Sequence, residues 1–241
     1  MVNNLVSTFI VDTFLNNKAK FARLYRNIVP RKRYTARNHP KLLSHHKRFV
    51  WFKIPKVATT SIETAFRNND RIYGIRRIKQ SPEVIADKYP DYFKFAFVRN
   101  PWSRVVSCYV NKICYPQKRS ALMYFSRYKS LYYRMPFEEF IYFLCSEEGK
   151  DENADPHWIS QHLFLYDGSD CMVDFVGRFE NLEQDLRSVC NGIGIDDLEL
   201  PHITPPKQTN KQHYRDYYNE RTYDLVLQRY RKDVELFDYR S

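Results

Sequence analysis

Two short segments of the chain carry residue types that suit the binding of anions. In the first, Lys56 is followed by Thr59, Thr60 and Ser61, shortly after the apolar run at residues 49–52. An ammonium group, hydroxyls and the amides at the start of a helix together favour a phosphate or a sulfate. The glycines of the G-x-x-x-x-G-K-[ST] pattern are absent, which disfavours a kinase or an ATPase. Taken alone, the same residues are also typical of simple helix capping.

The second segment, residues 97–109, contains Arg99, Arg104 and Ser107. Arg99 stands where an apolar run ends, and open α/β sheets bind ligands beyond the carboxyl ends of their strands. Its planar guanidinium group can hold a phosphate through two hydrogen bonds. Arg104 and Ser107 are three residues apart, so they share a face of the helix that follows. The alternative is that both arginines are surface ion-pair partners.

The elements around these segments alternate between strand and helix patterns. Apolar runs at residues 49–52, 93–98 and 173–177 predict strands, and each is followed by a helical pattern. Pro101 favours a helix start there, because proline suits the first turn. The alternation predicts an α/β fold, a P-loop-like three-layer domain with a central parallel β-sheet flanked by helices. Residues 115–149 and 214–236 are also predicted to be helical.

Length and charge narrow the class of protein. The 241 residues suffice for one domain, which we place at residues 48–241, after an N-terminal helical and basic extension at residues 1–47. The formal net charge of +11 favours an anionic partner, which nucleic acid, acidic lipid, a glycan or a polyanionic cofactor would satisfy.

The compartment is inferred from cysteines and from the N-terminal segment. Five cysteines form no C-x-x-C pair, which predicts reduced thiols. Asp12 interrupts the apolar run near the N-terminus, and no basic segment precedes that run. Neither a signal peptide nor a membrane span is therefore predicted. We expect a cytoplasmic protein, or a catalytic domain that has been cut from an anchor.

The two anion-binding segments together resemble those of the sulfotransferases that use 3′-phosphoadenosine 5′-phosphosulfate (PAPS), in their carbohydrate, Golgi-type branch (sulfotransferase family 2-like). That family has a P-K-x-x-x-T-S-like loop followed by an R-[DN]-P-x-x-R-x-x-S-x-Y segment, and both stand here in that order. Residues 155–161 are similar to its H-W-x-x-Q segment, residues 175–182 to its G-[KR]-x-E-x-L segment, and residues 230–239 to its closing Y-x-x-D-x-x-x-F-x-Y pattern. The departures are the missing membrane anchor and a different cysteine pattern.

The resemblance implies transfer of a sulfuryl group from PAPS to a hydroxyl group of a carbohydrate or small molecule, with 3′-phosphoadenosine 5′-phosphate (PAP) as product. Lys56 would stabilise charge on the leaving phosphate oxygen. No metal is expected, because cations and amides replace the Mg²⁺ that a kinase needs. The cofactor-binding residues that the resemblance implies are Lys56, Val57, Ala58, Thr59, Thr60, Ser61, Arg99, Ser107 and Lys211.

The acceptor hydroxyl needs a base, and His157 is the first candidate. A histidine with an ordinary pKa of about 6.5 accepts a proton at neutral pH. The alternative is that His157 only orients its loop. The family uses either histidine or glutamate, which leaves Glu180 and His162 in reserve, although we expect Glu180 to support the fold. A metal site at the histidines of the N-terminal extension is disfavoured, because they lack a helical spacing and nearby cysteines. These histidines are His39, His45 and His46.

Two other classes remain as alternatives. The charge and the basic, aromatic residues 127–134 would suit a nucleic-acid-binding protein, although no recognised motif supports that reading. A P-loop kinase would need Mg²⁺ and ATP. We expect no nucleic-acid partner and no membrane span. Within the sulfotransferase interpretation, the basic and aromatic residues 112–134 would suit an anionic saccharide or, equally, a small natural-product alcohol.

Overall fold

The computed structural model describes residues 35–115, 125, 127–196, 198–200 and 213–239. It confirms the α/β fold, with a five-stranded central sheet flanked by helices. The strands of the central sheet and of a small hairpin are β1 (Lys41–Ser44), β2 (Phe49–Phe52), β3 (Arg76–Ile78), β4 (Phe93–Val98), β5 (Tyr166–Asp167), β6 (Asp170–Cys171) and β7 (Phe175–Arg178). The helices are α1 (Thr59–Asn68), α2 (Pro82–Lys88), α3 (Pro101–Tyr109), a π-helix (Val110–Cys114), α4 (Phe137–Cys145), α5 (His162–Leu165), α6 (Leu182–Gly192), α7 (Glu220–Arg229) and α8 (Arg231–Leu236), with single 3₁₀ turns at Phe179–Asn181 and Tyr214–Tyr217.

The sheet order is β3-β1-β2-β4-β7. β2, β4 and β7 are parallel, as the alternation of strands and helices predicted, whereas β1 is antiparallel to both of its neighbours. The pairing of Phe52 with Ala96 and of Val98 with Arg178 brings the carboxyl ends of the three parallel strands to one edge of the sheet. The segments that follow these strands therefore meet at this edge, where the candidate site lies.

β1 corrects the predicted boundary of the N-terminal extension. The sheet begins at Lys41, within the segment that the sequence assigned to an extension ending at residue 47. Lys41 is buried, and its ammonium group donates to the carbonyls of Arg37 (2.8 Å), His39 (3.2 Å) and Gln80 (2.9 Å). These bonds satisfy a charge that the sequence pattern had placed in solvent. Residues 1–34 lie outside the described part of the chain.

The core is built around β2 and β4, which have helices or loops on both faces. All four residues of β2 are buried, and Phe66 of α1 packs against Phe49 with ring centroids 5.4 Å apart. On the neighbouring strand β7, a Cβ atom at Gly177 would lie 2.6 Å from the ring of Phe97. Glycine is required there because the ring of Phe97 in β4 fills the space that a side chain at position 177 would occupy.

The two further regions predicted to be helical are only partly so. Within residues 115–149, α4 is the α-helix longer than one turn that the described residues form. The C-terminal region is divided into α7 and α8, and α7 starts at a capping box in which Asn219 accepts from the amide of Thr222 (2.8 Å). None of the described helices combines the length and the apolar character needed to cross a membrane.

Candidate active site

The loop between β2 and α1 places Lys56 at the carboxyl edge of the sheet. Lys56 and Ala58 have φ angles of 76° and 56°, in the left-handed region that costs a residue with a side chain about 1–2 kcal/mol. Glycines occupy such positions in Walker loops without this cost. The hydroxyl of Thr59 donates to the carbonyl of Ile54 (2.6 Å) and closes the loop. Strain that is held in place by such contacts is typical of ligand-binding loops.

The same loop presents the amino end of α1. Ile62 donates to Ala58, so the amides of Thr59, Thr60 and Ser61 precede the first helical hydrogen bond. Free amides and the helix dipole make such an end suitable for an anion. The side chain of Val57 is buried, so this residue can offer a ligand only its backbone. The predicted residues of the first segment therefore stand together in one loop and the first turn of α1, beyond the carboxyl end of β2.

Arg99 follows β4 and lies against this loop. Its Nη1 donates to the carbonyl of Lys56 (3.2 Å), and its Nε donates to the hydroxyl of Ser103 (2.9 Å). The guanidinium group lies over the ring of Phe179 at 4.1 Å. Burial lowers the pKa of Arg99 to about 10, so the group stays charged at neutral pH. Its Nη2 has no hydrogen bond to a described residue and is available to a ligand.

Gln161 fixes the backbone of Arg99. Its side-chain oxygen accepts from the Arg99 amide (2.9 Å), and its side-chain nitrogen donates to the Arg99 carbonyl (2.8 Å). Gln161 is fully buried, and its own amide donates to the carboxylate of Asp233 (2.7 Å). The chain from Asp233 through Gln161 thus sets the position from which the Arg99 side chain starts.

His157 is paired with a buried carboxylate. Its Nδ1 lies 2.5 Å from Oδ1 of Asp155, which also accepts from the His157 amide (3.1 Å). With a neutral imidazole, Nδ1 donates its proton to Asp155 and the lone pair is on Nε2. Burial lowers the pKa of His157 and outweighs the opposite effect of Asp155. The imidazole is therefore neutral at pH 7, as a base must be.

The two reserve candidates for the base differ in their partners. His162 is paired as His157 is, with its Nδ1 2.7 Å from the buried carboxylate of Asp233. Glu180 accepts from the amide of Asn100 (2.8 Å) and from the hydroxyl of Tyr239 (2.9 Å). Glu180 therefore supports the start of α3, in agreement with the expectation that it supports the fold.

Arg104 joins the two loops of the site. It is 2% exposed, and its guanidinium group donates to the carbonyls of Pro55 (3.1 Å), Pro156 (3.2 Å) and Ile159 (2.8 Å). The alternative that Arg104 is a surface ion-pair partner is therefore wrong. Pro55 precedes Lys56 and Pro156 precedes His157, so this one side chain sets the spacing between the two reactive segments.

Two predicted cofactor-binding residues, Ser107 and Lys211, remain to be placed. Ser107 lies partly buried in the last turn of α3 and makes no hydrogen bond to Arg99. Lys211 lies outside the described residues.

The chain matches the family model described as "Sulfotransferase family" over residues 39–240. It belongs to this family. Among similar proteins, carbohydrate sulfotransferase 14 of Homo sapiens is 28% identical over 190 residues, which cover 68% of this chain and 48% of that protein. Carbohydrate sulfotransferase 11 of Rattus norvegicus is 25% identical over 181 residues, covering 66% and 49%. The chain spans about half the length of these relatives. No solved structure matches it.

For this member of the sulfotransferase family, the sequence left three supporting residues without a role. Asp155 and Gln161 stand inside the segment that resembles H-W-x-x-Q, and the two-residue spacing of Asp155 and His157 was the available signal. The bonds of Arg104 and Gln161 join positions 49 to 62 residues apart, which no local pattern reveals. In the described residues, no three His, Cys, Asp or Glu side chains are grouped so that they could hold a metal ion.

Proposed function

We propose that this protein transfers a sulfuryl group from PAPS to a hydroxyl group of a carbohydrate. The observation that carries the proposal is the arrangement of Lys56 and Arg99 on one side and the Asp155–His157 pair on the other, held together by Arg104. Membership of the sulfotransferase family supports the reaction type.

The residues present fit a nucleotide that carries several anionic groups. Lys56 and the amides of Thr59, Thr60 and Ser61 would hold the 5′-phosphosulfate, and Arg99 would hold the 3′-phosphate through its remaining donor. PAPS supplies the activated sulfuryl group. Within the described residues Lys56 has no carboxylate partner, so an anionic ligand would be its natural counter-ion.

The transfer needs one group that stabilises the leaving oxygen and another that takes the proton of the acceptor hydroxyl. The acceptor oxygen bonds to sulfur as the bond from sulfur to the 5′-phosphate oxygen breaks, and the electron pair of that bond stays on the phosphate oxygen. Lys56 would stabilise this new charge through a preorganised electrostatic contact. His157 would take the acceptor proton at Nε2, while Asp155 holds the imidazole in the required tautomer and stabilises the imidazolium.

A carbohydrate acceptor is favoured over a small alcohol by two observations. The similar proteins named above are carbohydrate sulfotransferases. The net charge of +11 would also attract a glycan that carries carboxylates or sulfates.

The test is transfer of labelled sulfate from PAPS to a panel of neutral glycans, uronic-acid glycans and small alcohols. We expect labelled glycan with the wild-type protein and at least a hundredfold less with His157→Ala. Label on small alcohols alone would overturn the acceptor class. No transfer to any acceptor, combined with phosphate transfer from ATP in the presence of Mg²⁺, would replace the proposed reaction by a kinase reaction.

A further inference from the structure

The helix that carries Arg104 does not end as an ordinary α-helix. α3 continues directly into the π-helix Val110–Cys114, in which the amide of Tyr115 donates to the carbonyl of Val110 (3.0 Å), five residues earlier. The wider turn holds about one more residue than an α-helical turn, and π-turns inside helices are frequent at functional sites.

The extra residue changes which side chain continues the inner face of α3. Arg104 and Cys108 are four residues apart and both are buried, so they define this face. In an unbroken α-helix, positions 111 and 112, seven and eight residues after Arg104, would both border this face. In the π-helix, Asn111 is exposed and Lys112, four residues after Cys108, is partly buried. The wider turn thus keeps Lys112, and not Asn111, on the face of Arg104.

That face is the one that contacts both loops of the candidate site. Arg104 donates to Pro55 in the Lys56 loop and to Pro156 beside His157. Lys112 lies two turns further along the same face. Its position near both groups is supported by electrostatics: burial lowers the pKa of Lys56 to about 8 and lowers that of His157, and the positive charge of Lys112 adds to both effects.

We propose that Lys112 is a further catalytic residue, whose ammonium group contacts the oxygens of the sulfuryl group during transfer. The inference rests on the proposed function. In a sulfuryl transfer between Lys56 at the leaving oxygen and His157 at the acceptor oxygen, sulfur lies between these two groups, and negative charge is spread over its three other oxygens. A second cation close to both Lys56 and His157 is placed to stabilise that charge.

The experiment compares ligands with and without the sulfuryl group. We would measure the affinities of PAP and PAPS by calorimetry, and the rate at which the protein releases PAP from PAPS with water as acceptor. The variants are Lys112→Met, which keeps the length of the side chain without its charge, and Lys112→Arg, which keeps the charge. Lys232→Met removes one positive charge from an exposed position of α8 and serves as the control.

Lys112→Met should bind PAP within about threefold of the wild type, lose tenfold or more of its affinity for PAPS and slow PAP release by on the order of 10²-fold. Lys112→Arg should recover at least a tenth of the wild-type rate, and Lys232→Met should match the wild type. If Lys112→Met lost the same factor of affinity for PAP as for PAPS, or released PAP from PAPS at the wild-type rate, the proposal would be overturned. Should Lys112→Met melt early, Lys112→Gln takes its place with the same expected results. Failure of the wild type to bind PAP contradicts the proposed function itself and is visible before any variant is made.

Discussion

At the scale of single residues, Lys56 and Arg99 are both cations but have different surroundings. Lys56 has a left-handed backbone conformation in a strained loop, and burial lowers the pKa of its ammonium group to about 8. The guanidinium group of Arg99 is already held by the Lys56 carbonyl and Ser103 and lies over Phe179. Arg99 is thus fixed for binding, whereas Lys56 is placed to respond to charge that appears during the reaction.

Lys56→Ala should lower kcat by on the order of 10²-fold or more and change PAP affinity only a few-fold, because the charge it stabilises develops in the transition state. Arg99→Ala should weaken PAP binding by roughly 10–100-fold, because it removes a charged hydrogen-bond donor from the ground-state complex. Steady-state kinetics and calorimetry separate the two. Arg221→Ala, an exposed arginine of α7, is the control. If both substitutions reduced affinity alone and to the same extent, the division of roles would be wrong.

The pH dependence of turnover should report His157 and Lys56. In the proposed mechanism His157 is the neutral base, so activity should be lost as pH falls through its pKa, which burial places below 6.5. Lys56 has the proposed role of a cation, so kcat/KM for PAPS should fall as pH rises through about 8. His157→Ala should lose two to four powers of ten in kcat and the low-pH limb of the profile.

Asp155→Asn should slow turnover without affecting PAP affinity, because an amide at position 155 favours the other tautomer of the His157 imidazole.

A variant His157→Ala with a wild-type melting temperature and near-normal turnover would exclude His157 as the base. His162, whose Nδ1 is paired with Asp233, and Glu180, which accepts from Asn100 and Tyr239, would then be the next residues to substitute.

At the scale of elements, the site depends on contacts between segments that are far apart in sequence. Asp233 in α8 holds Gln161 at the start of α5, and Gln161 holds the backbone of Arg99 after β4. Gln161 is therefore a positioning residue that acts on a ligand only through Arg99.

Gln161→Leu should weaken PAP binding by about tenfold, because Arg99 loses its two backbone partners and with them its fixed position. In a double-mutant cycle measured by calorimetry, adding Gln161→Leu to Arg99→Ala should cost little further affinity. Gln184→Leu, at an exposed glutamine of α6, is the matched control. Additive losses in the cycle would show that Gln161 affects the site by another route, such as a general loss of stability.

The elements that the sequence predicted and those it missed differ in their physical origin. β2, β4 and β7 were predicted because each is a local apolar run before a helical pattern. β1 was missed because it begins with Lys41, whose burial is made tolerable by three carbonyls that lie up to 39 residues away. The π-helix was missed because its wider turn is defined by backbone hydrogen bonds, such as that from Tyr115 to Val110, which residue types do not reveal.

The candidate site divides in the same way. Lys56, Arg99 and His157 stand in contiguous motifs, so residue types and spacing were sufficient to select them. The carbonyl partners of Arg104 come from two loops that lie 49 to 55 residues from it in the sequence, and the alternative that the sequence offered was a surface ion pair. Local patterns predict reactive groups, whereas the groups that position them depend on tertiary contacts.

At the scale of the whole molecule, an ion cluster around the buried carboxylate of Glu63 joins α1, β3 and the segment that precedes the Lys56 loop. The carboxylate of Glu63 in α1 accepts from Lys53, from Nε of Arg67 (2.9 Å) and from Nη2 of Arg77 (2.6 Å). Burial alone would raise the pKa of Glu63, but the hydrogen bonds from Lys53, Arg77 and Arg67 lower it to about 2. The charged form is therefore favoured in the folded protein.

Glu63→Gln should reduce the free energy of unfolding at pH 7 by on the order of 2–3 kcal/mol. Because the folded pKa lies below the unfolded value of 4.5, the contribution is complete above about pH 4.5 and is lost as pH falls toward about 2. Denaturant unfolding at pH 7, 4 and 3 should show that the difference in the free energy of unfolding between wild type and variant decreases as the pH falls. Glu235→Gln breaks an exposed pair with Arg231 and should cost little at any pH. A difference in the free energy of unfolding that stays constant with pH would exclude the ion cluster as its cause.

The central claim is that the Lys56 loop and Arg99 form one nucleotide site that works without metal, and calorimetric titration with PAP in excess chelator tests it most directly. We expect the wild type to bind PAP under these conditions, the double variant Lys56→Ala/Arg99→Ala to lose that binding, and added Mg²⁺ to leave the wild-type affinity unchanged. Absence of binding in chelator with recovery on adding Mg²⁺, or wild-type affinity in the double variant, would contradict the account.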